Sequence, residues 1–478
     1  MATIKEELLN GILWTAISRY SGLLISIVVS MILARLISPN EFGIVAIANI
    51  FIVFLTMFSQ MGIAPAIIQY SNLSTSDYNN IFSVSIYLGT ILVFAFYLLS
   101  WPIASIYSEP SLLGICHILT INVFFSAINM VPNALMQKNK RFKDLAKVSL
   151  IIQFISGALS VCVALVGGGI YSLVISPIFL SAGLFLYCRH EYPVKFCLLP
   201  SFHSVRKILS YSIYQFCFEF INYFSRNLDK LIIGKMISIN ALGYYEKSYT
   251  LVQMPQQYIT GIINPVLQPV LCKLEQEPNE LCHNYTKIIS IISMLSFPIG
   301  IILCFCSKEI ILLMFGAQWV PAIKVLQIIS LSLPTQMILS TSGAIWQASN
   351  STKLMFWVGS FNTFIVVIGF IVSAYFYRNI EAVALSWTLS AIFTFAITYY
   401  IMYKRCLNSS IMHMLKILVN PLVCAIILAM FYSVYNSCVV IQNVVVLLAS
   451  KLFLGGILTL LYLHITRRIN IINFIKQI

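Results

Sequence analysis

ARLISPNEFG at residues 34–43 recurs 200 positions later as GKMISINALG at residues 234–243. Ile, Ser, Asn and Gly match at four equivalent positions, and the ungapped register continues to Pro65 and Pro265. A second match, at an offset of 210, pairs Ala134, Gln137 and Lys143 with Ala344, Gln347 and Lys353. Chance similarity between apolar segments is the alternative, but the two matches together favour an internal repeat. Two copies of one unit are a common plan for membrane transporters.

The composition is that of a polytopic membrane protein. The 478 residues are 59% hydrophobic and only 9% charged, whereas an average soluble domain is about 25% charged. The formal net charge of +14 is explained by basic membrane-flanking loops. Nucleic-acid binding has no support in a chain with so little soluble surface.

Apolar stretches long enough to cross a bilayer predict an all-α protein with about fourteen transmembrane helices. Six-helix lobes at 1–187 and 208–403 are expected, followed by a helix pair at 414–465. Because each repeat unit holds an even number of spans, a pseudo-two-fold axis along the membrane normal relates the lobes. The expected spans are Gly11–Leu36, Phe42–Ile68, Ile81–Ile106, Leu112–Val131, Leu145–Val166, Ile170–Leu186, Ile208–Ile233, Leu242–Val266, Ile288–Cys306, Ala322–Leu339, Leu354–Phe376, Val383–Met402, Met414–Tyr432 and Val444–Ile465.

The basic residues of the short loops predict the orientation. The loop between the fourth and fifth spans is rich in lysine and arginine, as are the loop after the sixth span and the C-terminal segment. The loops on the other side carry few basic residues. Both termini are therefore expected in the cytoplasm.

Ionisable side chains inside spans are costly and usually face a cavity. The first span carries Arg19. In the seventh span, residues at spacings of three and four form one helical stripe, and polar residues continue in the eighth. This pattern predicts a cationic cavity for an anionic ligand such as a diphosphate. The cavity set is Arg19, Asn222, Arg226, Lys230, Gln253 and Gln256, with Glu219 on the same stripe.

Local pairing is the alternative explanation for part of this stripe. Asp229 lies three residues after Arg226 and can pair with it, while Lys230 and Lys235 can extend to the interface. Lys324 and Lys451 lie near predicted helix ends, and an interfacial position is expected for both.

Arg19 and Glu219 occupy equivalent positions in the repeat, 200 residues apart. Under the pseudo-two-fold symmetry they lie at the same depth, so a base and an acid are placed to pair when the lobes close. The alternative is that each is satisfied by neighbours within its own lobe.

No pattern typical of an enzyme, a metal site or a cofactor site is present. The histidines form no HExxH pair, the chain has no GxxxxGK[ST] phosphate loop, and the twelve cysteines are scattered without a CxxC motif. We expect no catalytic residue, metal or cofactor, and interpret the cysteines as small packing residues.

Three segments resemble bacterial polysaccharide flippases of the Wzx type, which belong to the multidrug/oligosaccharidyl-lipid/polysaccharide superfamily, and in particular the subgroup that includes colanic-acid exporters. They are TAISRYSGLLISIVVSMILARLISPNEFGIVA (15–46), SRNLDKLIIGKMISINALGYYEKSYTLVQMPQQ (225–257) and WVPAIKVLQIISLSLP (319–334). The resemblance implies a two-lobed inner-membrane protein that translocates undecaprenyl-diphosphate-linked oligosaccharides by alternating access, for O-antigen, capsule or exopolysaccharide synthesis. It also implies that a polysaccharide polymerase and a chain-length regulator are partners.

By the same resemblance, Arg19 and Arg226 are expected to contact the diphosphate or acidic sugars, and Glu219 and Asp229 to serve gating or ion coupling. Three other functions stay open. They are a lipid II flippase, a drug or cation antiporter of the same superfamily, and, in a different class, a membrane polysaccharide polymerase or ligase. An antiporter for cations should present acidic residues, and a polymerase a large external loop.

Overall fold

A computed structural model of the chain describes residues 4–60, 63–70, 73–201, 223, 227–272, 277–439 and 441–466, and every regular element within these ranges is a helix. The molecule divides into two compact units, Met1–Gly243 and Tyr244–Ile478. The division expected from the sequence, with lobes at 1–187 and 208–403 and a helix pair at 414–465, stays a prediction.

The first unit is built around one central helix, α5. Its small and β-branched residues, such as Val123, Ala127 and Val131, are fully buried, and it packs against α2, α3, α4 and α7, while α1 packs on α6. The helices of this unit are α1 Ile4–Leu36, α2 Pro39–Gln60, α3 Ile63–Gln69, α4 Thr75–Tyr107, α5 Ser111–Lys138, α6 Phe142–Leu165, α7 Tyr171–Glu191 and α8 at 227–236.

In the second unit, α10 is the central helix. It packs against α12, α13 and α17, and a small buried cluster of Cys424, Leu428 and Tyr432 joins α17 to it. The helices are α9 Ile239–Leu271 (whose first five residues belong to the first unit), α10 Pro278–Phe305, α11 Ser307–Met314, α12 Ala322–Ser330, α13 Leu333–Leu339, α14 Ser342–Ala348, α15 Thr352–Tyr377, α16 Ile380–Arg405, α17 Ile411–Cys438 and α18 Val444–Ile465, with a 3₁₀ turn at Ala317–Trp319.

The helix bounds confirm the repeat. Helix α1 ends at residue 36 and α8 at 236, and α2 begins at Pro39 where α9 begins at Ile239. At the second offset of 210, α5 ends at 138 and α14 at 348, while α6 begins at 142 and α15 at 352. Even the left-handed residue of the connecting turn is repeated, with φ of 58° at Lys140 and 50° at Asn350.

The molecule is a polytopic helical membrane protein. Among the described residues, eleven helices are long and apolar enough to span a bilayer, or twelve if the bent pair Ala322–Ser330 and Leu333–Ala348 is one span. Large apolar side chains lie on the outside, with Phe94 64% and Phe453 69% exposed, as expected where lipid rather than water covers them. The predicted count of fourteen is not confirmed, because most of the seventh predicted span lies outside the described residues.

One predicted span is broken into shorter helices. The segment predicted as Ala322–Leu339 forms α12 and α13, bent by 50°. Pro334 explains the break, because it has no N–H to donate to the carbonyl four residues earlier. A long uninterrupted helix was therefore wrong at this place. The segment predicted as Phe42–Ile68 contains α2 and α3, and the two residues between them lie outside the described residues.

Candidate functional site

The predicted site residues that the structure describes lie on three helices, α1, α8 and α9. Arg19 is exposed on α1. Asp229 is buried and Lys230 half-buried on α8, where the backbone N–H of Lys230 donates to Asp229 Oδ1 at 2.8 Å. Gln253 and Gln256 lie on α9 in the second unit. Glu219, Asn222 and Arg226 lie outside the described residues, so the Arg226–Asp229 pair stays a prediction.

Hydrogen bonds to backbone carbonyls tie the α8 region to α2 and α4. The Tyr223 hydroxyl donates to the carbonyl of Ile50, and its ring stacks on Phe54 at 6.4 Å. The Tyr107 hydroxyl donates to the Leu231 carbonyl at 3.3 Å. Lys235 Nζ donates to the carbonyl of Ile106 near the end of α4. The stripe that carries Asp229 and Lys230 is thus held against the first repeat copy.

The two copies of the repeated motif touch each other at equivalent residues, inside the first unit. A Cβ on Gly43 would lie 2.0 Å from the carbonyl oxygen of Ile239, and a Cβ on Gly243 would lie 2.0 Å from that of Pro39. Because Pro39 is equivalent to Ile239 and Gly43 to Gly243, the contact is reciprocal, as in a two-fold interface. Only glycine permits this approach of the two backbones.

The start of α2 shows why this motif forms a sharp helix boundary. The Ser38 backbone N–H and hydroxyl donate to Glu41 Oε2 at 3.0 and 2.8 Å, and the Glu41 N–H points back to Ser38 Oγ at 3.4 Å. This is a capping box, with proline at the first helical position. In the second copy the Ala241 N–H donates to Ser238 Oγ at 3.0 Å, so the cap is kept without the acid.

In the second unit, α9 turns a row of amides toward α13. Gln253 Nε2 donates to Gln336 Oε1 at 3.3 Å, and Asn264 Nδ2 donates to the Ser340 carbonyl at 3.3 Å. Gln336 is 8% exposed, and its own amide donates to Ser332 Oγ. The residues Gln253, Gln256, Thr260 and Asn264 follow each other at spacings of three or four, which places them on one face of α9.

Two of these amides keep an unused acceptor. Gln256 Oε1 and Asn264 Oδ1 are buried and have no hydrogen-bond partner. A buried carbonyl oxygen without a partner costs about 1–3 kcal/mol, so this face is suited to accept hydrogen bonds from a hydroxyl-bearing ligand or from water. Sequence reasoning found Gln253 and Gln256 but missed Asn264 and Gln336. The helical spacing on α9 was a signal that could have identified Asn264.

A buried ion pair was also missed. Lys451 Nζ lies 2.7 Å from Glu309 Oε1, with the two side chains only 3% and 6% exposed. The expected interfacial position of Lys451 was therefore wrong. Its partner, Glu309 on α11, is 142 residues away in the sequence, so the pair could not be predicted from sequence spacing. Lys324 is 72% exposed and lies 3.7 Å from Glu381.

Basic residues just before α6 and in its first turns contact side chains of other helices. Arg141 pairs with Asp144 at 2.7 Å and with Glu191, and these hydrogen bonds raise the pKa of its guanidinium above the ordinary value. Lys143 and Lys147 lie 5.3 and 5.6 Å from the ring centroid of Trp14. Across the described ranges no three His, Cys, Asp or Glu side chains cluster as metal ligands, and the eleven cysteines in those ranges are free.

The described part of the chain is a polytopic helical membrane protein with polar faces on several of its helices. The chain belongs to the family described as polysaccharide biosynthesis protein, whose model matches residues 32–324, more than half of the chain.

Similar proteins agree with this assignment. The chain is 24% identical over 421 residues to the lipopolysaccharide biosynthesis protein WzxC of Escherichia coli K12, covering 85% of this chain and 83% of WzxC. It is 23% identical over 432 residues to an uncharacterized membrane protein in the cps region of Klebsiella pneumoniae, covering 88% and 87%. The inward closed structure of the lipid II flippase MurJ superposes with a TM-score of 0.72 at 16% identity, covering 96% of this chain and 99% of MurJ. That likeness establishes the fold.

Proposed function

We propose that this protein is a flippase that moves undecaprenyl-diphosphate-linked oligosaccharide units across the cytoplasmic membrane by alternating access, for surface polysaccharide synthesis. The observation that carries the proposal is the polar face of α9. This helix has 33 residues, so it is about 50 Å long at 1.5 Å per residue and exceeds the bilayer core. Yet α9 is not among the helices whose described residues are apolar enough to span a bilayer. Polar groups at membrane depth require a protein or water-filled environment.

The chemistry of the substrate matches such a face. Each sugar hydroxyl stripped of water without a replacement bond costs about 1–3 kcal/mol. The unused acceptors of Gln256 and Asn264, with Gln253 beside them, offer replacement bonds to hydroxyls. The polyprenyl tail can stay in lipid while the head group follows the polar path.

The diphosphate requires cations. We assign its binding to Arg19, Arg226 and Lys230, with Asn222 as a neutral donor. Arginine is suited to this role because its planar guanidinium binds phosphate oxygens bidentately. Arg226→Ala is expected to leave the protein inserted in the membrane but to reduce surface polysaccharide in a complementation assay. Arg226→Lys should restore part of the export, because lysine keeps the positive charge but cannot bind two phosphate oxygens at once.

The assay needs matched expression, checked by immunoblot of the membrane fraction. Full export by the alanine variant at normal abundance would remove Arg226 from the binding site.

Glu219 and Asp229 are proposed to act in gating or ion coupling. The repeat makes Arg19 and Glu219 equivalent, so an ion pair between them would favour a closed arrangement. Single reversals (Arg19→Glu or Glu219→Arg) would place like charges together and lower export, and the double reversal would recover part of it. A double-mutant cycle isolates this coupling; strictly additive losses would contradict the pairing.

The basic loops predict that both termini lie in the cytoplasm of a cell with an inner membrane, so a periplasmic phosphatase fused at Ile478 should be inactive. The exported units would be handed to a polysaccharide polymerase controlled by a chain-length regulator. A lipid II flippase is a second candidate, since the MurJ-like fold is shared with it. The cationic stripe disfavours a drug or cation antiporter, and the internal two-copy repeat disfavours a polysaccharide polymerase or ligase.

A further inference from the structure

The first unit contains a cavity lined by both polar and apolar side chains, none of which belongs to the assigned site. Its volume is about 470 Å³, and it lies between α3, α5 and α7. This is within the range of cavities that bind small molecules. The polar side chains that α5 contributes are Asn122, Ser126, Asn129, Asn133 and Gln137. Their spacings of three and four place them on one face of the helix, and every lining side chain in the described part of the chain is uncharged.

One of these amides has an unused acceptor. Asn129 is only 8% exposed, and its Oδ1 is buried without a hydrogen-bond partner. The other members partly satisfy each other, with Ser126 Oγ donating to Asn122 Oδ1 at 3.4 Å and Gln137 Nε2 to Asn133 Oδ1 at 3.1 Å. A buried unpaired carbonyl is unfavourable unless a ligand or water donates to it.

Two cationic side chains on the helices that line this cavity, Lys138 on α5 and Arg189 on α7, have contacts of their own. Lys138 Nζ donates to the carbonyls of Ile67 and Tyr70 at 2.9 and 2.6 Å and to the Tyr78 hydroxyl at 2.8 Å, which uses all three donors of an ammonium group. Arg189 lies over the rings of Phe82 and Phe185 at 5.6 and 5.7 Å. An anion would find amides and hydroxyls here, but no available positive charge among the described lining residues.

The repeat allows this region to be compared with its counterpart in the second unit. Ala64 lines the cavity, and its equivalent at an offset of 200 is Asn264, whose longer side chain donates to the carbonyl of Ser340, directly after α13. At the offset of 210, Asn122 and Ser126 are equivalent to Ser332 and Gln336, and each of these two pairs is joined by a hydrogen bond. The first unit thus has a methyl group at the cavity where the second unit has an amide side chain.

We propose that this cavity binds a neutral, hydroxyl-rich moiety, a sugar ring of the lipid-linked glycan, with Asn129 Oδ1 accepting a hydrogen bond from a sugar hydroxyl. The inference rests on the proposed flippase function and adds to it a site that recognises uncharged sugar and is separate from the cationic diphosphate contacts. Its glycan preference would be set by the five polar side chains of α5.

The test compares two carriers on the purified full-length protein: undecaprenyl diphosphate alone, and undecaprenyl diphosphate that bears a neutral hexose disaccharide. The unsubstituted protein should bind the disaccharide carrier more tightly. Asn129→Leu should reduce that preference about tenfold, equivalent to about 1.4 kcal/mol, and leave the affinity for the bare carrier unchanged. Asn133→Leu, a second variant on the same face, should act in the same direction.

The matched control is Asn362→Leu on α15, outside the cavity. Asn362 also has a buried Oδ1 without a partner, while its Nδ2 donates to Thr398 Oγ1 at 2.8 Å. It should leave both affinities unchanged. Thermal melting of each variant monitors folding, and Asn129→Leu should fold because it removes an unsatisfied polar atom.

The outcomes are distinguishable. If both cavity variants keep the full preference for the disaccharide carrier, or lose affinity for both carriers equally, the cavity does not recognise sugar while the flippase proposal stands. If the unsubstituted protein binds neither carrier, the proposed function and this inference both fail.

Discussion

Gly43 and Gly243 are the residues at which the internal repeat becomes a physical contact. Each lies against a backbone carbonyl of the opposite motif, at a distance that a Cβ could not tolerate. The pattern was visible in the sequence as a shared glycine, but the sequence did not reveal that each glycine faces the other copy. Helical glycines are unfavourable by about 1 kcal/mol relative to alanine, so close packing explains their presence.

Gly43→Ala or Gly243→Ala should disrupt this contact. A Cβ would stand 2.0 Å from a carbonyl oxygen, and overpacking of this kind typically costs about 1–3 kcal/mol. We expect a lower melting temperature of the purified protein and reduced export, with similar effects for the two variants because the contact is reciprocal.

Gly114→Ala is the matched control, because nothing lies within 4 Å of the Cβ it would add. Since alanine is the better helix former, this change should be neutral or slightly stabilising. If Gly43→Ala had the same melting temperature and export as Gly114→Ala, the glycine contact would not be required for stability or for export.

At the scale of elements, α18 is fixed to the second unit by a buried ion pair and a tyrosine. Lys451 pairs with Glu309 on α11, and the Tyr432 hydroxyl on α17 donates to the Lys451 carbonyl at 3.0 Å. The last two helices lie outside the repeat, so no symmetry-related element could hold them. The Lys451–Glu309 pair attaches α18 to α11 instead.

Lys451→Leu should destabilise the protein by about 3–5 kcal/mol, because it leaves a buried carboxylate without its partner. Removing both charges with Glu309→Leu and Lys451→Leu should recover most of the loss. The measurement is thermal unfolding of the purified protein in detergent.

The exposed pair Lys324–Glu381, at 3.7 Å, is the matched control, and Lys324→Leu should cost less than about 1 kcal/mol. Equal losses at Lys451 and Lys324, or no recovery in the double variant, would contradict a structural role for the buried pair.

The sequence predicted helices well where the residues of one segment are enough to determine its structure. It predicted poorly where contacts between distant segments determine the structure. Hydropathy located α4, α5 and α15 to α18 because each is a continuous apolar stretch. It could not locate the bend between α12 and α13, nor the Lys451–Glu309 pair, whose members are 142 residues apart. Of the predicted site, Gln253 and Gln256 lie on a shared polar face. Asn129 was missed because the site was sought around charged residues inside the spans, and the amides of α5 carry no charge.

At the scale of the whole molecule, the repeat, the family match and the fold are consistent with the flippase that we propose, built from two copies of one unit. Helix bounds recur at offsets of 200 and 210, and two polar positions, Asn122 and Ser126, recur as Ser332 and Gln336. The differences between the copies are functional in our account, because Asn129 of the cavity corresponds to Leu339 in the second unit.

Translocation by the purified protein is the most direct test of the central claim. Proteoliposomes would carry a fluorescent undecaprenyl-diphosphate-linked oligosaccharide, and a membrane-impermeant reagent would report how fast the label from the inner leaflet becomes accessible, with and without an ion gradient. The account predicts faster exposure of the oligosaccharide lipid than in protein-free liposomes, and no acceleration for a fluorescent phospholipid. Exposure at the protein-free rate under every gradient, or equal acceleration of both lipids, would contradict it.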